Sequence, residues 1–209
     1  MALGIIDYGF CNINSVASTC KEIDNDVEVI SDPSKCDSYE KIILPGVGNF
    51  ESAIEHLQKT NFIDVLIQHV EKGKFLLGIC LGMQLLLNNS EESNKGLKGL
   101  GVIGGDCIDI GNKIKEDIPV PHMGWSEVSL VNNKSKIINN IEDGDSFYFA
   151  NSYYCEVSED QIIGTFNYGS VNFPAIITNN SNVFGVQFHP EKSQKKGIEI
   201  LRNFINVKE

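Results

Sequence analysis

Cys80 sits in the run Phe75-Leu76-Leu77-Gly78-Ile79-Cys80-Leu81-Gly82-Met83-Gln84, a thiol between two glycines where an apolar stretch gives way to a helical pattern. This is the cysteine form of the G-x-S-x-G nucleophile elbow, in which residues without a Cβ let strand and helix pack closely around a strained turn. Such a turn raises the side chain above the carboxyl end of a sheet. It also aims it at the free N–H groups of the next helix, which favour an anion. Far along the chain, Phe188-His189-Pro190-Glu191-Lys192-Ser193 supplies a base and, two residues on, a carboxylate to orient it. Cys80, His189 and Glu191 thus form a nucleophilic triad in chain order.

Each residue also has a plainer reading. A cysteine in an apolar run is commonly a small buried hydrophobe. A lone histidine is commonly a hydrogen-bonded structural residue, and a lone glutamate a solvated charge. Paired glycines and a His-Pro-Glu element after the apolar run 183–188 favour catalysis, because a plain core strand needs neither. Residues i and i+2 of an extended chain point to one side, and Pro190 is expected to keep the backbone extended, so that His189 and Glu191 align toward Cys80.

The elements that must position these residues follow from hydrophobic periodicity. Residues 3–8, 27–30, 41–44 and 75–79 read as strands; 13–23, 50–57, 62–70 and 81–87 read as helices. Alternation of short apolar strands with helices implies a largely parallel sheet covered on both faces. Active sites of such sheets lie at the carboxyl ends of the strands, where Tyr8-Gly9, Pro45-Gly46-Val47-Gly48 and Cys80 all fall. The C-terminal half changes character. Residues 96–105 read as turns; 120–131, 146–157, 162–168 and 173–188 read as strands, the last containing the turn Asn179-Asn180-Ser181-Asn182; 197–207 reads as a helix. The expectation is one α/β domain spanning 1–209, with a central, largely parallel sheet flanked by helices and further antiparallel strands in the C-terminal half.

Composition narrows the class. The 209 residues are 42% hydrophobic and 22% charged, as in ordinary globular domains. A net charge of −11, with no basic cluster beyond the Lys195-Lys196 pair, argues against a nucleic-acid-binding face. Six cysteines show neither C-x-x-C spacing nor a Cys/His metal pattern. With no secretory signal and no apolar run long enough for a membrane span, a cytoplasmic protein with reduced thiols is expected.

These motifs resemble the class I (triad) glutamine amidotransferases and, within them, the glutaminase-subunit family of imidazole glycerol phosphate synthase. The resemblance runs through Ile6-Asp7-Tyr8-Gly9, Leu44-Pro45-Gly46-Val47-Gly48, the elbow, Ser90-Glu91-Glu92, Pro121-His122-Met123-Gly124-Trp125, Ser152-Tyr153-Tyr154 and Gln187-Phe188-His189-Pro190-Glu191-Lys192-Ser193. It covers nearly the whole chain. The resemblance implies the class I amidotransferase fold and hydrolysis of glutamine to glutamate and ammonia through a Cys80 thioester, with His189 as acid–base and Glu191 as its orienter. It implies an oxyanion hole built from the backbone of Leu81 and of Val47 and Gly48. A single donor there is worth about 2.7–4 kcal/mol of the barrier, and glycines on either side of Val47 make a peptide flip cheap. It further implies substrate contacts from Gly46, Gln84, Glu92 and Ser152, no cofactor and no metal. The implied partner is a heteromeric (β/α)8-barrel cyclase that receives ammonia, with Trp125, Tyr148 and Lys192 as the contact face.

Three positions depart from the family pattern: Cys11, where glycine is common; Ser126, where asparagine is common; and Asn151, where histidine is frequent. They leave the triad untouched and bear on the acceptor. Ammonia delivery to the histidine pathway is the default. A paralogue serving sugar-modifying amidotransferases of surface polysaccharides, a catalytically silent docking subunit and a stand-alone cysteine hydrolase remain as alternatives.

Overall fold

The computed structural model describes residues 3–9, 13–131 and 134–208, so the Cys11 departure lies outside the described residues. The first half follows the expected alternation: β1 (Leu3–Ile6), α1 (Ile13–Ile23), β2 (Val27–Ile30), β3 (Lys41–Gly46), α2 (Phe50–Lys59), α3 (Phe62–Glu71), β4 (Phe75–Cys80) and α4 (Leu81–Leu85). The second half comprises β5 (Asn89–Ser90), β6 (Asp106–Asp109), β7 (His122–Leu130), β8 (Asp145–Asn151), β9 (Tyr153–Glu156), β10 (Ile162–Tyr168), β11 (Val171–Thr178), β12 (Val183–Val186) and α5 (Gln194–Asn206).

Nine strands form one sheet in the order β2-β1-β3-β4-β12-β11-β10-β7-β8. From β2 to β12 all pairs are parallel; from β12 to β8 all are antiparallel. Strands β1 and β3 are buried along their whole length, as expected of strands covered on both faces. One apolar core joins α1 and α5 to one face through Val16, Ala17, Cys20, Leu201 and Phe204. The other joins α2, α3 and α4 to the opposite face through Phe50, Leu57, Phe62, Leu66 and Met83.

Two expectations need correcting. The run 146–157 is two strands: the chain breaks at Ser152, leaving β8 in the large sheet while β9 joins a second sheet of order β5-β6-β9. Strand β6, in that small sheet, was not expected. Its four residues begin on an exposed aspartate and depend on the remote β9 for pairing, so the local sequence carries little signal. The run 173–188 divides into β11 and β12 at the asparagine turn expected within it, where the Asn179 side chain accepts from Ser181, Asn182 and Val183 N–H.

Candidate active site

Strands β3 and β4 end side by side, with Gly46 in register with Cys80. Cys80 then adopts φ 54°, ψ −111°, a conformation L-residues rarely occupy, and the chain turns directly into α4. The glycines make this possible by close approach. A Cβ on Gly82 would lie 1.9 Å from the Leu44 carbonyl oxygen, and one on Gly46 would lie 2.8 Å from the Gly82 nitrogen. Any side chain at either position would push the nucleophile away from the loop that follows β3. In that loop Gly48 takes φ +96° and Val47 is exposed.

The base arrives from β12. His189 is locked through its backbone: its N–H donates to the Tyr148 carbonyl at 2.8 Å, and its own carbonyl accepts from Ser193 Oγ at 2.7 Å. His189 Nδ1 lies 2.9 Å from Glu191 Oε1, with the two side chains only 5% and 3% exposed. The expected geometry is corrected here. Pro190–Lys192 form a short 3₁₀ turn, not an extended strand, with Pro190 at its first position, where a missing N–H costs nothing. The turn, not strand alternation, folds Glu191 back onto the imidazole.

Burial works against charge on His189, yet its hydrogen bonds and charge interactions with Cys80 and Glu191 outweigh it and push the pKa up to about 10. These partners favour the charged form of the ring. Burial, reinforced by the nearby Glu191 carboxylate, raises Cys20 to about 12; burial with Asp32 raises Cys36 to about 11. Desolvation also holds Cys107 and Cys155 in the thiol form.

A cavity of about 330 Å³ opens over Cys80, lined among others by Val47, Gly48, Leu81, Gln84, Glu92, Ser152, His189 and Lys192. Of the expected site residues, Gly46 and Glu191 lie behind this cavity, lining a small void with His189. Trp125 and Tyr148 stand outside it on the sheet surface. They are cross-strand partners on β7 and β8 with ring centroids 6.1 Å apart, and Lys192 Nζ sits 5.7 Å from the Tyr148 ring centre. Trp125 is 47% exposed and Met123, two residues earlier on the same face, is 66% exposed.

Two substrate candidates carry structural bonds as well. Glu92 accepts the Phe50 N–H at 2.7 Å, which seats its carboxylate at the start of α2. Gln84 spends its amide nitrogen on the Tyr153 carbonyl (3.3 Å) and Gln187 Oε1 (3.1 Å), leaving its oxygen as the group for a ligand. Pro121, Ala150, Asn151 and Tyr153 also line the cavity without having been assigned to it from sequence. Asn151 had stood out only as a departure; it is buried, and its Oδ1 lacks a hydrogen-bond partner. Gln187, whose amide nitrogen is 3.8 Å from Cys80 Sγ, was likewise missed. Its signal was present: it is the one polar residue in the run 183–188.

A cysteine at a strained strand–helix turn, sharing a cavity with a histidine that a buried carboxylate orients, is the constellation of an acyl-transferring hydrolase. The chain belongs to the glutamine amidotransferase class I family, whose model matches residues 5–207. Within that class it is 40% identical over 204 residues to the imidazole glycerol phosphate synthase subunit HisH of Caldanaerobacter subterraneus subsp. tengcongensis, covering 97% of this chain and 96% of the relative. It is 41% identical over 205 residues to the protein of the same name from Methanocaldococcus jannaschii, covering 98% and 99%. Among solved structures, PurLQS from Thermotoga maritima superposes with a TM-score of 0.73 at 19% identity, covering 98% of this chain and 97% of that one, a likeness of fold.

Proposed function

We propose that this chain is the glutaminase subunit of an imidazole glycerol phosphate synthase, hydrolysing glutamine and passing ammonia to a partner synthase for histidine biosynthesis. Cys80 and His189 at one cavity, with Glu191 behind it on the Nδ1 side of the His189 ring, carry the glutaminase reading. Similarity of about 40% along nearly the whole of the relatives supports the pathway.

In this reading the Cys80 sulfur attacks the side-chain amide carbon of glutamine. The resulting oxyanion is met by backbone N–H groups of Leu81 and the Val47–Gly48 loop. His189, carrying the proton it takes from the Cys80 thiol, gives it to the departing nitrogen as the C–N bond breaks, leaving a γ-glutamyl thioester and ammonia. His189 then takes a proton from water. The hydroxyl adds to the thioester, the C–S bond breaks and glutamate leaves. Glu191 holds the ring through Nδ1 and stabilises its cation throughout. Glu92 and Ser152, with Gly46 behind the loop, complete the pocket for the amino-acid end of the substrate, and the Gln84 oxygen faces it.

Ammonia released into water at neutral pH becomes ammonium, so delivery needs a covered route. The subunit names of the relatives support a heteromeric assembly, and we assign the partner as a (β/α)8-barrel cyclase. The exposed Trp125–Tyr148–Lys192 cluster with Met123 is the docking face, since aromatic anchors dominate interface energetics. Among the described residues no helix is long and apolar enough to cross a membrane. Buried free thiols suit a reducing compartment, and we assign the protein to the cytoplasm.

Ammonia release from glutamine, with and without the barrel partner, tests the chemistry. Cys80→Ala is expected to abolish it, His189→Ala to cost nearly as much, and Glu191→Gln less. Complementation of a histidine auxotroph lacking this subunit tests the pathway. Growth that depends on Cys80 is expected; failure to grow with folded protein and a cognate barrel present would redirect the acceptor assignment.

A further inference from the structure

Gln187 is fully buried two residues before the base, and the triad chemistry gives it no task. Its amide bridges two site residues: Nε2 donates to Cys80 Sγ at 3.8 Å, within reach of a sulfur acceptor, and Oε1 accepts from Gln84 Nε2 at 3.1 Å. Gln84 Nε2 also donates to the Tyr153 carbonyl at 3.3 Å.

The order of donors and acceptors along this chain is dictated from one end. A backbone carbonyl only accepts, so Tyr153 turns the nitrogen end of Gln84 toward itself. That same nitrogen faces Gln187, which must present its oxygen in return. Gln187 is thereby left with its nitrogen toward the sulfur. Reversing the Gln187 amide would set two NH₂ groups against each other and point a carbonyl oxygen at Cys80. Burial enforces the order at Gln187, which is fully buried and cannot turn to water instead.

We propose that Gln187 is a positioning residue for the nucleophile: its amide N–H holds the Cys80 sulfur and favours its anionic form, and Tyr153, acting through Gln84, fixes which end of that amide faces the sulfur. The Cys80 sulfur then meets the Gln187 amide as well as sharing its cavity with His189. The peptide at Tyr153 follows Ser152 in the cavity wall, so the nucleophile is tied to the wall that receives the substrate. Gln84 consequently has two duties, one toward the ligand through its oxygen and one toward Cys80 through its nitrogen.

The inference rests on Cys80 being the glutaminase nucleophile. It is tested on the full chain with Gln187→Met, which keeps volume and removes the donor, and Gln84→Met, which keeps the Gln187 side chain and removes its orienter. Alkylation of Cys80 by iodoacetamide, located by peptide mass, is followed across about pH 5–10. In Gln187→Met the rate profile should move to higher pH, with the neutral-pH rate falling about tenfold and the high-pH plateau within about twofold of wild type. Gln84→Met should shift the profile the same way by a smaller amount. It carries the test alone if Gln187→Met does not fold. A role confined to packing would lower melting temperature and leave the profile in place. Profiles coincident with wild type in the folded variants would overturn the inference while Cys80→Ala remains inactive. Glutamine hydrolysis persisting in Cys80→Ala would overturn both it and the glutaminase reading.

Discussion

At the scale of single residues, the thiols are sorted by their surroundings. Burial holds Cys20, Cys36, Cys107 and Cys155 in the unreactive form, whereas Cys80 opens onto the cavity beside a cationic histidine. A glutamine-like electrophile should therefore label Cys80 alone among these. Modification of another thiol with Cys80 untouched would refute the assignment. The imidazolium of His189 makes a second prediction. Its pKa in the fold is raised from 6.5 to about 10, so its contribution to stability is complete below pH 6.5 and is lost as pH climbs through about 10. Cys80→Ser removes one of the groups that raise it, so the imidazole NMR titration of His189 should move to lower pH in that variant. An unmoved titration would show that Cys80 does not act on the ring. The meeting of Cys80, His189 and Glu191 was legible from sequence because each is marked locally, by glycines around Cys80 and by Pro190 between His189 and Glu191. The second duty of Gln84 was not legible, because its partners lie 69 and 103 residues away.

The elbow is a unit of two elements that touch backbone to backbone. Gly82→Ala would set a methyl group 1.9 Å from the Leu44 carbonyl, whereas Gly104 has nothing within 4 Å of an added Cβ. Urea unfolding should show Gly82→Ala destabilised by about 3 kcal/mol or more. Gly104→Ala should stay within about 1 kcal/mol of wild type. Comparable losses in both would mean that the contact between β3 and α4 yields easily. Element type was readable wherever apolar spacing was long and regular, as in α2, α3 and the parallel strands. It failed at Ser152, where one strand-like run passes from one sheet to another, and at Pro190, where a three-residue turn replaces an extended segment. Both outcomes are decided by what the segment meets across the fold, β6 in the first case and β8 in the second.

Across the whole molecule, the cavity and the aromatic surface share a residue. Lys192 lines the first and reaches over Tyr148 in the second. Trp125→Ala should weaken association with the proposed barrel partner by about 2 kcal/mol, or roughly thirtyfold in Kd, measured by calorimetry on the two purified subunits. Undiminished affinity would place the docking face elsewhere. Glutamine hydrolysis by the lone variant should match that of the lone wild type, since Trp125 lies outside the cavity.

The strand order also sets a timetable. Strand β12, which closes the parallel half of the sheet against β4 and carries the base, comes from residues 183–186, and α5, which packs on α1, comes later still. A ribosome therefore releases the elbow cysteine long before the strand that completes its sheet, and the exposed edge of β4 must wait unpaired. Nascent chains halted before residue 183 should be protease-sensitive and bound by chaperones, and chains that have released α5 should be resistant. Early resistance would mean that the parallel half folds without its closing strand. An enzyme with this topology is silent while its elbow is being made, and can spend no glutamine until the strand that leads to His189 has followed.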